Sequence, residues 1–145
     1  QLSILPTLAG AVVVPPAVVD EIAVGRRLGV PLPDLTTLSW ITTRQPLSRA
    51  ALPLVAHLGA GEASVLMLAL ESAKPVVILD DALARRTAKL LNIPMKGTLG
   101  LLIDAKRAGL IPKIEPVLNE LQQLGFRLAS TTRVEVLRMA NELSP

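Results

Sequence analysis

Pro75-Val76-Val77-Ile78-Leu79-Asp80-Asp81-Ala82 is the stretch on which the fold turns. Its unbroken apolar, β-branched run suits a parallel strand covered on both faces, whereas a strand with one wet face alternates apolar and polar residues. Two carboxylates stand at its end. A helix is predicted beyond them over residues 82–91, with Leu83, Thr87, Leu90 and Leu91 inward, and Asn92 and Pro94 terminate it. Upstream, residues 11–14 form a second short apolar strand, stopped by Pro15 and Pro16. Proline is tolerated in the first turn of a helix, so the next helix is placed at residues 17–28, closed by Gly29.

Between these two regions, a loop with Pro31, Pro33 and Asp34 leads to a predicted strand at residues 40–42. Ser48 reads as the N-cap of a helix over residues 49–58, ended by Gly59. Gly61 and Glu62 open the following helix, where Val65, Leu66, Ala69 and Leu70 repeat at helical spacing from Glu62's own face. Gly97-Thr98 starts another helix, with Thr98 as N-cap, Leu101, Leu102 and Ala105 inward, and Gly109 as stop. Two more helices are predicted near residues 113–124 and 132–143. Parallel strands need crossover connections, so the order of strands and helices predicts an α/β fold with a short parallel sheet between helical layers.

Composition narrows the chemistry. With 145 residues the chain has the size of one domain. Half of it is hydrophobic, yet Trp40 and Phe126 are its only aromatics, so the core is aliphatic and no base-stacking platform is available. Cysteine is absent and His57 is the one histidine, which excludes a disulfide framework, a thiolate zinc site and a histidine metal site. A metal here would take oxygen ligands, as Mg²⁺ or Mn²⁺ do. A net charge of +3 and a pI near 9.8 permit a polyanionic partner without demanding one. The longest apolar stretch after Glu62, residues 65–70, falls far below the roughly 20 residues of a membrane helix, so no membrane partner is expected. Residues 1–8 lack the features of a secretory signal, while Leu2, Leu5 and Leu8 at helical spacing suggest a chain that opens within a helix.

Ligands of open parallel sheets bind beyond the carboxyl ends of the strands. Asp80 and Asp81 stand at such an end, Glu21 follows another strand by a proline turn, and Glu62 opens a helix near the same edge. Several carboxylates around hard cations suit phosphodiester hydrolysis, where charge builds on the phosphate. The same acids have a structural reading: Glu62 and Asp81 at helix starts each gain about 0.3–1 kcal/mol from the helix dipole, and Glu21 reads as a solvated helix residue.

Three strings in order carry a resemblance: residues 14–22 (VPPAVVDEI), 58–66 (LGAGEASVL) and 78–86 (ILDDALARR), continued by 97–102 (GTLGLL) and 105–111 (AKRAGLI). Together they resemble a PIN-like family found widely in prokaryotes. The resemblance implies a single three-layer α/β/α domain over residues 1–145, with a short, mainly parallel central sheet. It also implies a cytoplasmic, Mg²⁺- or Mn²⁺-dependent endoribonuclease, in many members the toxin of a toxin and antitoxin pair. Carried over by position, Glu21, Glu62 and Asp81 match the family's acids, with Asp80 able to exchange roles with Asp81. The family's further Asp, at the end of a first strand, has no match here. Either the chain lacks a preceding strand and helix start, which the leucine spacing favours, or this member has lost them. Exposed sheet edge and core are then expected, either leaving the chain less stable or covered by a second subunit in a homodimer.

Arg85, Arg86, Lys89, Lys106 and Arg107 are candidates to line an approach for RNA phosphates, with Arg85, one turn after Asp81, the foremost and Arg26 and Arg27 less well placed. A solvated helix face is the competing reading for all of them. Thr98 is either an N-cap or a hydroxyl presented to metal or nucleic acid. His57 reads as a surface or capping residue and Trp40 as core or interface. Two other functions fit the same residues: a non-catalytic PIN-like module that binds protein or RNA, and a phosphoacceptor receiver domain, which leaves the Gly-Glu and Gly-Thr-Leu-Gly motifs unexplained.

Overall fold

Two prolines begin the first strand–helix unit. Pro15 adopts φ −71° and ψ 152° and caps α2 (Pro16–Arg27), whose first-turn N–H groups have no intrahelical partner, so proline forfeits nothing there. Before it lie α1 (Ile4–Ala9) and β1 (Val12–Val14). A single 3₁₀ turn (Leu35–Thr37) then leads to β2 (Ile41–Thr43), which pairs parallel with β1, Val12 opposite Ile41 and Val14 opposite Thr43. Trp40 stands half-buried just before β2. The computed structural model describes residues 3–143, so Leu2 of the predicted opening helix lies outside the described residues.

The predicted helix over residues 49–58 is reduced to α3 (Leu52–Val55), because Pro53 has no N–H and is accommodated only in a first turn. Ser48 does not cap it. Its hydroxyl instead accepts the Ala50 N–H at 3.1 Å in a tight turn, and Ala51 is the N-cap. The second strand–helix–strand unit is β3 (Val77–Ile78), α5 (Ala82–Leu90) and β4 (Met95–Lys96), preceded by α4 (Ala60–Leu70). Sequence pattern did not reveal β4. It pairs parallel with β3, and the Val77 and Leu79 N–H groups reach the Pro94 and Lys96 carbonyls at 2.9 Å. The parallel strands thus occur, among the described residues, as two two-stranded sheets, each joined by its own crossover helix.

Val55, Ala63, Leu66, Ala69, Val77, Leu79, Ala84, Ala88 and Ile93 form the core of this region. The inward face of α5 is turned one residue from the predicted stripe: Ala84, Thr87 and Ala88 are buried, while Leu83 and Leu90 are 40% and 83% exposed. Alanines at 63, 69, 84 and 88 explain the turn, since small side chains let α4 and α5 approach closely, which leucine would prevent. Asn92 ends α5 at φ 56°, a left-handed conformation that asparagine tolerates.

Contacts divide the described residues into two compact units, residues 3–96 and 97–143. The second holds α6 (Thr98–Arg107), α7 (Glu115–Gln123) and α8 (Ser130–Met139). Gly97 rather than Thr98 caps α6, with extended φ −98° and ψ 173°, which puts Thr98 at the first helical position. Ile114 and Leu118 are fully buried here, with Leu102, Val117, Val136 and Leu137 close to it.

Glu142 binds this unit together. Its carboxylate is only 6% exposed and accepts from Lys106 Nζ at 2.6 Å, Ile114 N at 2.6 Å and Glu115 N at 3.0 Å. It therefore neutralises a cation on α6 and satisfies two of the orphan donors at the start of α7. Burial works to raise this carboxyl, but the bonds from Lys106, Ile114 and Glu115 outweigh it and hold its pKa below the ordinary 4.5. On α8, Arg133 reaches Asn119 Oδ1 at 2.8 Å and Gln122 Oε1 at 3.0 Å, tying that helix along the face of α7.

Candidate functional site

The segment Gly59-Ala60-Gly61-Glu62 starts α4 with Gly59 as N-cap, at φ −60° and ψ 158°. Glu21, on α2, reaches across and its Oε1 accepts the Gly61 N–H at 3.1 Å. A Cβ built on Gly61 would stand 2.7 Å from Glu21 Oε2 and 2.9 Å from Oε1. A Cβ on Gly59 would stand 2.6 Å from Glu62 Oε2. Each glycine therefore leaves the space that a carboxylate occupies: Glu21 against Gly61, and Glu62 folded back over Gly59. Two acids 41 positions apart each lie against one helix start, where unpaired N–H groups and the positive end of the dipole favour negative charge.

Asp81 is the N-cap of α5, and its Oδ1 accepts the Ala84 N–H at 2.8 Å. Asp80, the residue before, is exposed at the end of β3. All three matched acids thus lie at helix N-termini, Glu21 and Glu62 at α4 and Asp81 at the neighbouring α5. Among the described residues, no three Asp, Glu, His or Cys side chains stand close enough together to hold a metal ion. Glu21 and Glu62 both lie at the start of α4, each against its own glycine, and Asp81 is held in a capping bond at α5.

Other acids are committed elsewhere. Glu71 accepts from the backbone N–H groups of Ser48 and Leu47, at 2.8 and 3.1 Å, and these bonds hold its carboxyl below the usual range. Asp34 is lowered likewise, by the Thr36 hydroxyl and N–H and by Arg26, whose guanidinium is 2.9 Å away. The predicted cationic approach changes accordingly. Arg26 is paired with Asp34, Lys106 with Glu142, and Arg85 donates from Nη1 to the Leu79 carbonyl at 2.9 Å, which folds its charge over the end of β3. Arg27, Arg86, Lys89 and Arg107 are exposed. Thr98 belongs to α6 in the unit of residues 97–143.

The sequence reading passed over two features of this region. The alternate glycines of Leu58-Gly59-Ala60-Gly61-Glu62 were the visible signal for close carboxylates. His57, read as a lone surface ring, makes a 3.0 Å bond from Nε2 to Thr87 Oγ1 on α5.

A family model for the PIN domain matches residues 1–142. The chain belongs to the PIN-domain family. Searches of the curated proteins and of the solved structures each returned no match to it. The mixed helices and short parallel sheets described above agree with the α/β/α fold of a PIN domain. Within this PIN domain the Gly59-to-Glu62 turn gathers two of the acids that the family resemblance singled out. Among the described residues, no helix of the PIN domain is long and apolar enough to cross a membrane.

Proposed function

We propose that this PIN domain is a metal-dependent endoribonuclease in which Glu21 and Glu62 hold Mg²⁺ or Mn²⁺, with Asp81 and Asp80 at the start of the neighbouring helix adding negative charge rather than a third ligand. The observation that carries the reading is that both carboxylates lie at the start of α4, Glu21 bonded to the Gly61 N–H and Glu62 folded against Gly59. Carboxylate oxygens fit a hard cation, and Mg²⁺ commonly takes only one or two of them, keeping waters and substrate phosphates as its other ligands. A two-acid site therefore fits such an ion, although no three-acid group is present among the described residues. When bound, the ion supplies charge neutralisation at the phosphodiester and acidifies bound water. Glu21 and Glu62 bind and orient, and Gly59 and Gly61 give them room. Arg86 and Lys89, exposed on α5, serve phosphate attraction without sequence preference. Family resemblance extends the reading to a cytoplasmic toxin acting on RNA and restrained by an antitoxin protein.

Cleavage of a fluorescent single-stranded RNA is expected to stop when chelator is added and to return with excess Mn²⁺. The second reading, a non-catalytic module that binds RNA or protein, is favoured by Asp81's capping bond to Ala84. It is the conclusion if RNA binding persists in chelator and no cleavage occurs at any Mn²⁺ concentration.

Gly61→Ala tests the packing argument. The new Cβ would meet the Glu21 carboxylate at 2.7 Å, and that carboxylate, the end of a flexible side chain, can swing away. Alanine's helix preference over glycine, about 1 kcal/mol, offsets much of the lost charged bond, which Glu21, an exposed residue, exchanges for water. Melting is expected to change little while Mn²⁺ affinity falls. Unchanged affinity would remove Glu21 from the site.

A further inference from the structure

We propose that His57 is a positioning residue, whose bond to Thr87 fixes the first turn of α4 against the helix that Asp81 caps; the proposal rests on the metal reading above. Thr87 is the buried polar residue of this core, 6% exposed. Its hydroxyl has one proton, and the Leu83 carbonyl at 2.9 Å has none to give, so that proton goes to Leu83. The 3.0 Å contact is then an N–H of His57 Nε2 donating to the Thr87 oxygen. Both the neutral Nε2–H tautomer and the imidazolium provide that donor.

The location of this bond gives it its role. His57 lies in the connection between α3, a helix of four residues, and Gly59, the N-cap against which the Glu62 carboxylate rests. Val55 anchors the connection on one side by burial in the core. On the other side the His57 bond attaches it to the middle of α5. The ring itself is exposed, and Thr87 keeps its Leu83 bond without it, so removing the ring strands no buried polar group. Its effect falls on where Glu62 stands relative to Asp81, as happens when the outer partner of a metal ligand is lost.

Isothermal titration of the full chain with Mn²⁺ alone tests this. His57→Ala is expected to weaken Mn²⁺ binding about tenfold, with the melting temperature little changed. His57→Gln, which places an amide N–H near the Nε2 position, is expected to restore binding. Thr87→Val is expected to match His57→Ala, and the double variant to be no weaker than either single one, as one shared bond requires. Equal affinity in wild type and His57→Ala overturns the proposal, as does a failure of His57→Gln to restore binding. Glu62→Gln serves as the control for the underlying reading. If it binds Mn²⁺ as wild type does, or if wild type binds none, the metal reading falls and this proposal with it. If it loses binding while His57→Ala does not, only the positioning role is lost.

Discussion

Glu62→Gln is expected to fold as the parent chain does and to lose metal-dependent RNA cleavage by at least about 100-fold, the scale on which metal sites respond to a damaged ligand environment. Glutamine has the shape of glutamate, so it fills the same space over Gly59 in the first turn of α4. What it lacks is the charge. Losing a favourable interaction with the helix dipole costs about 0.3–1 kcal/mol, too little to unfold a domain. Cleavage and Mn²⁺ binding should both collapse while circular dichroism and melting stay near wild type. An unchanged cleavage rate in the purified protein would remove Glu62 from the chemistry.

Glu142→Ala should act in the opposite way, costing about 3 kcal/mol of stability because it leaves Lys106 unpaired and the Ile114 and Glu115 donors unanswered. Its pH dependence has a definite sign. The folded-state pKa lies below the ordinary 4.5, so the contribution is complete above that value and drains away as pH falls through the lower folded one. Urea denaturation should therefore separate wild type from Glu142→Ala widely at neutral pH and progressively less in acid. A gap under about 1 kcal/mol at neutral pH, smaller than the worth of a charged hydrogen bond, contradicts the clamp.

The parts of the fold that were legible in the sequence are those fixed locally. The β-branched run before Asp80 marks β3, the paired prolines mark the start of α2, and Gly109 marks the end of α6. What escaped depends on partners distant in sequence. Met95–Lys96 is a strand only because β3 lies beside it. Pro53, whose missing N–H confines the helix to α3, is the local signal against the longer helix that the Ser48 cap pattern predicts. Of the predicted α5 stripe of Leu83, Thr87, Leu90 and Leu91, Thr87 is buried, while close packing against α4 selects Ala84 and Ala88 in place of Leu83 and Leu90. At the site, the acids themselves were legible as chemistry. Their seats against Gly59 and Gly61 were not, since Glu21 and Gly61 are joined by a tertiary contact across 40 residues.

The shortness of the strands bears on how the chain is expected to behave at high concentration. Each described sheet has two strands, so every strand presents an edge, and Val13 and Ile78 are partly exposed. Such edges invite another chain to add a strand. Here the paired stretches are only two or three residues long, and Pro15, Pro75, Pro94, Arg44 and Lys96 lie within or beside them. An incoming strand would gain few backbone bonds before meeting a missing N–H or a charge, which makes these edges poor templates for aggregation.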